Sequence, residues 1–174
     1  VVGAGDHDAD ILFVGEAPGE EEDKLAIPFV GRAGKVLDKM LAYIELKREV
    51  LYICNTVKCR PPDNADPTQD QKNECSSYLI RQVEAIKPKV VVCLGNHATK
   101  SIMDLFGLES KVEPISNIHG KLFEVDPVLF PNGIKVMPLY HPAAMLHNPL
   151  LAEELRKDFK KLKAAIGRNI SSSS

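Results

Sequence analysis

Four short apolar runs, each followed by a stretch of different period, constrain this chain more than any other feature. "ADILFVGEAP" reads as a strand ending near Pro18, and "AGKVLDKMLAYIEL" then carries Val36, Leu37, Met40, Leu41 and Ile44 at helical spacing. "VLYICNTVK" is a second strand of β-branched and aromatic residues, followed by the Pro- and Asp-rich loop "CRPPDNADPTQ". Pro67 opens a helix expected to reach about Ile86, with Leu79, Gln82, Val83 and Ile86 on one side. "KPKVVVCLG" is a buried third strand closed by Gly95, and "NHATKSIMDLF" is its helix. "KVEPISNIHGKLFEV" reads as a β excursion, "IKVMPLY" as the last core strand, and Pro149 to about Ile166 as a terminal helix. Such alternation predicts an α/β fold of three layers, α/β/α, around a central, mainly parallel four-stranded sheet. In such sheets ligands bind at the carboxyl ends of the strands.

With 174 residues, 44% hydrophobic and 26% charged, the chain suits one domain, expected over residues 1–168, with 169–174 as a polar tail. A net charge of -2 leaves DNA or RNA binding to local clusters rather than to a global basic field. No run of about 18 apolar residues suggests a membrane span, and no basic, apolar start suggests a signal peptide, so a cytoplasmic protein is expected. In a reducing compartment the four cysteines are thiols or metal ligands rather than disulfides.

Collecting strand ends gives a candidate site. The first strand delivers Gly15, Glu16, Ala17, Pro18 and Gly19, the second Asn55, and the last His141 followed by Pro142. The glycine-rich turn resembles a phosphate loop, but Glu20, Glu21, Glu22 and Asp23 follow it and no Gly-Lys-Ser/Thr does; the dinucleotide fingerprint fails because Gly15 and Gly19 lack its spacing. Convergent polar groups without a phosphate-binding lysine suit a planar, hydrogen-bonding ligand.

"GEAPGEEED", "PFVGRAG", "YICNTVKCRPP" and "YHPAAML", in that order, resemble the family 4, iron-sulfur uracil-DNA glycosylases over about Val1 to Ile166. The resemblance implies a monofunctional enzyme that flips uracil out of single- or double-stranded DNA. It hydrolyses the bond between base and deoxyribose, leaving an abasic site and free uracil. Under it, Gly15, Glu16, Ala17, Glu22, Phe29, Asn55 and His141 contact uracil, with His141 and Glu16 as the catalytic pair. A flipped base needs oriented amides and a stacking face, which Phe29 supplies unless it is an ordinary core phenylalanine. Asn55 can accept from uracil N3–H and donate to O4, or simply cap a turn. His141 is placed to donate to O2 as negative charge grows there, the alternative being a structural histidine before proline. Compared with the Gly-Gln-Asp-Pro-Tyr motif of better-known uracil glycosylases, Ala17 replaces the aspartate and Gly19 the tyrosine. Glu22 then resembles the acid that closes the pocket, while Glu20 and Glu21 read as a solvated first turn.

Gly19, Gly31 and Gly34 amides, with Arg32, Lys58 and Arg60, are candidates for DNA phosphates. Pro142, Ala143, Ala144, Met145 and Leu146 resemble a minor-groove wedge. Cys59 and Cys75 match two ligands of the family's 4Fe–4S cluster, whose other pair lies in an upstream Cys-x-x-Cys that this chain, starting at Val1, does not include; the cluster is either completed there or absent. Cys54 and Cys93, inside strands, read as small buried hydrophobes. A monomer is expected. The alternatives are a uracil- or abasic-DNA-binding protein without turnover, and a phosphotransfer enzyme, which the failed Walker pattern counts against.

Overall fold

Alternating side chains along the central strands divide the core into two halves, and that division decides where every helix lies. The computed structural model describes residues 4–5, 8–15, 31–55, 79–131 and 133–173. Among these residues six strands form one sheet: β1 (Ala4–Gly5), β2 (Ile11–Gly15), β3 (Tyr52–Asn55), β4 (Val90–Leu94), β5 (Phe123–Glu124) and β6 (Lys135–Leu139), in the order β1-β3-β2-β4-β6-β5. The four central strands, β3-β2-β4-β6, are parallel, as expected from the strand–helix alternation. Two-residue antiparallel strands, β1 and β5, add an outer strand at each edge.

Leu12, Val14, Val91, Cys93 and Val136 point to one face, where they pack with Leu79, Val83 and Ile86 of α2 (residues 79–86) and with Ala98, Ile102 and Met103 of α3 (Gly95–Leu105). Ile11, Phe13, Val90, Val92, Leu94, Met137 and Leu139 point to the other. There they meet Leu37, Met40 and Leu41 of α1 (Arg32–Tyr43) and Leu155, Phe159 and Leu162 of α6 (Ala152–Ser173). Residues that alternate along a strand face opposite sides of the sheet, so strands buried on both faces read as continuous apolar runs. Phe13 stacks on Phe159 with centroids 6.1 Å apart, tying β2 to α6. Gln82, the one polar member of the α2 stripe, donates from Nε2 to the Tyr52 hydroxyl at 3.1 Å.

Two expectations change. The segment read as a β excursion is mostly helical turn: a 3-10 turn at Glu109–Lys111 and the short α4 (Ile115–Ile118) precede the two-residue β5. The terminal helix continues past Ile166 to Ser173, through the expected polar tail, because extending a formed helix needs only one hydrogen bond per added residue. The expected start of the long helix at Pro67 lies outside the described residues. Among the described residues, no helix is long and apolar enough to cross a membrane.

Candidate active site

Strand β2 lies between β3 and β4, and the chain leaves β2 and β4 toward opposite faces, to α1 and α3 respectively. The connections therefore diverge at the carboxyl ends of β2 and β4, where an open α/β sheet forms its ligand crevice. Register places Gly15 beside Asn55 and Leu94 beside Leu139. One edge of the sheet thus presents, in spatial order, Asn55, Gly15, Gly95 and the Tyr140–His141 pair. The sequence pattern marks Gly95 only as the end of a strand. In the fold it has φ +92°, and a Cβ there would lie 3.2 Å from the Cβ of His141. Glycine accepts that dihedral and lets two neighbouring strand ends approach closely.

His141 follows β6 at a tight turn in which its carbonyl accepts from the Ala144 N–H at 2.8 Å. Its Nδ1 accepts from the Ala143 N–H at 3.0 Å. An Nδ1 that accepts has no proton, so the neutral ring carries its proton on Nε2. Burial lowers the imidazole pKa from its ordinary value, favouring that neutral form. His141 is therefore a neutral Nε2–H donor at the crevice, suited to a ligand oxygen that gains negative charge.

The segment after it separates by exposure. Pro142 is buried and Met145 packs against the core, whereas Leu146 is 38% exposed at the end of α5 (Ala144–His147). Of the expected wedge residues, Leu146 is the large apolar side chain presented to solvent; Ala143 and Ala144 are half-buried. Gly31 is the N-cap of α1, so Arg32 and Gly34 lie in its first turn, where backbone N–H groups lack intrahelical acceptors. Arg32 is exposed; Gly34 is buried, with its carbonyl accepting from Arg48 Nη2 at 3.3 Å.

For Asn55 the backbone alone is described. Glu16, Ala17, Gly19, Glu22, Phe29, Lys58, Cys59, Arg60 and Cys75 lie outside the described residues. His97 and His147 are exposed, in the first turn of α3 and at the end of α5. Another contact that sequence reading did not anticipate is Tyr140, whose ring lies 4.6 Å from that of His119. An aromatic residue directly before a strand-end histidine was its only local signal.

Cys54 and Cys93 are buried thiols, as expected, and burial raises the Cys93 pKa well above its ordinary value, which disfavours the thiolate that a metal requires. Among the described residues no group of three or more His, Cys, Asp or Glu could hold a metal ion. Cys59 and Cys75, the expected cluster ligands, lie outside the residues to which this applies.

The model of the Uracil DNA glycosylase superfamily matches residues 2–165. A type-4 uracil-DNA glycosylase of Archaeoglobus fulgidus is 50% identical over 168 residues, which cover 97% of this chain and 82% of the relative. The chain belongs to the type-4 uracil-DNA glycosylases. Type-4 enzymes of Sulfurisphaera tokodaii and Saccharolobus solfataricus are 47% and 44% identical, over 94% and 95% of this chain and 73% and 76% of theirs. For this type-4 glycosylase, the crevice at the carboxyl ends of β2 and β4 is the candidate uracil site.

Proposed function

We propose that the chain excises uracil from DNA by hydrolysing the N-glycosidic bond, leaving an abasic site and free uracil. The observation that carries this reading is the hydrogen bond from the Ala143 amide to His141 Nδ1, which puts the proton of the neutral ring on Nε2. Cleavage moves electrons from the glycosidic bond into the base, and a neutral donor at O2 stabilises the anion as it forms. Asn55, beside Gly15 at the end of β3, pairs with the uracil edge. Gly15, Glu16, Ala17 and Glu22 line the pocket, Phe29 stacks on the base, and Glu16 orients the loop or the pocket edge.

DNA is held by the first-turn amides of α1 at Arg32 and Gly34, with Gly19, Gly31, Lys58 and Arg60 at neighbouring phosphates. Leu146, flanked by Ala143 and Ala144, fills the space that the base leaves. Cys59 and Cys75 hold one side of a 4Fe–4S cluster that fastens their loop. When bound, the cluster supplies folding energy and takes no part in base removal. The enzyme works as a cytoplasmic monomer without cutting the strand.

The test uses single- and double-stranded DNA bearing one uracil, incubated with the protein and then treated with alkali. Cleavage at the uracil after alkali, and none before it, is the expected result. A stable protein–DNA adduct would support the binding-protein alternative, and intact DNA would overturn the reading.

A further inference from the structure

His119, just after α4, is fixed on three sides. Its Nδ1–H donates to Asp158 Oδ2 at 2.6 Å, and its Nε2 lies 3.6 Å from Glu154 Oε2, both acids being on α6. The Tyr140 ring covers it at 4.6 Å with a 34° tilt. The Asp158 side chain is only 3% exposed. The next residue, Gly120, donates its N–H to the Pro138 carbonyl of β6 at 2.8 Å. Gly120 has φ +79°, and a Cβ there would collide with the Asp158 carboxylate. The excursion, the terminal helix and the end of β6 therefore meet at one imidazole.

Stability alone explains this arrangement poorly, since well-packed apolar residues often replace a buried charged group and its partner without loss. Direction is what the pair adds. The short contact with Asp158 orients the His119 ring, that ring packs on Tyr140, and Tyr140 is the residue before His141. We propose that the His119–Asp158 pair is a positioning unit that aims the His141 imidazole, acting through the Tyr140 ring. The inference rests on the reading of His141 as the donor to uracil, and it goes beyond that reading by assigning two residues outside the crevice a part in the rate.

The test is a double-mutant cycle read by single-turnover excision at a temperature where every variant is folded. His119→Ala should slow excision about 10-fold, within the range expected when a catalytic group shifts by a fraction of an ångström, while affinity for abasic product DNA stays within about 2-fold. His119→Arg keeps an N–H donor for Asp158 and a flat face for Tyr140, and should recover most of the rate. Added to His141→Ala, His119→Ala should cost nothing further, because the group it aims is gone. The 15N resonances of His141 should move from an Nε2–H pattern toward a tautomer mixture in His119→Ala and not in His119→Arg. If His119→Ala does not fold, Asp158→Asn enters the same cycle.

Wild-type rates for His119→Ala alongside a slow His141→Ala would overturn this inference and leave the reading of His141 standing. So would an equal loss from His119→Ala in both backgrounds. A wild-type rate for His141→Ala would remove that reading, and this inference with it.

Discussion

His141 and His119 both lie near the end of β6, and their surroundings give them opposite work. His141 accepts an amide hydrogen at Nδ1, and burial holds its pKa down, so it stays a neutral donor. His119 directs its Nδ1 at the buried carboxylate of Asp158, with Glu154 near its other nitrogen, so it serves as a tie between elements. The Asp158 pKa is raised by burial, only partly offset by the His119 hydrogen bond. The two rings thus differ in their first partner, an amide for His141 and an acid for His119, and with it in the proton that each holds.

The sharpest way to break this contrast is His141→Ala. It should slow single-turnover excision by about 100-fold or more, roughly 3 kcal/mol, with little change in urea midpoint. A rate near wild type would make His141 a structural residue like its neighbour.

Gly120→Ala attacks the tie instead. The positive φ and the collision with Asp158 should together cost about 3 kcal/mol in urea unfolding, with a smaller effect on rate than His141→Ala. Unchanged stability would mean that the loop relaxes freely and that His119 fixes little.

The cysteines offer a parallel contrast between chemistry and packing. In protein extended with an upstream Cys-x-x-Cys and prepared without oxygen, serine at Cys59 or Cys75 should bleach a brown colour and lower the melting temperature. Serine at Cys93 should leave the colour and cost about 1–3 kcal/mol for a buried hydroxyl. A colourless parent protein, or three serine variants that behave alike, would make Cys59 and Cys75 ordinary thiols.

The smallest effect concerns pH. On the proposed role of His141 as a neutral donor, the acid limb of excision should fall below pH 6.5, and His141→Ala should lose that limb. The sign for stability is the same. A histidine whose folded pKa is depressed contributes stability that is present above the unfolded value and lost as pH falls through the folded one. A limb at or above pH 6.5 would show that burial does not govern the ring.

Much of the architecture was legible locally because helix stripes and strand runs are short-range patterns. The four parallel strands, the stripe of α1 and the strand-end position of His141 follow from residues close together in the chain. The excursion before β6 was misread because its apolar residues, Val112, Ile115 and Ile118, do not distinguish a short helix from a strand without the surface they pack on.

The sequence by itself determined the family, through four motifs in order, and the residue types available at each strand end. Tertiary structure alone decided that Gly95 presses on His141, and that His119 meets Asp158 and Tyr140 rather than the crevice. Those contacts depend on strand order and on the path of α6 across the sheet. Both are set by burying two apolar faces at once, which no local stretch of sequence encodes.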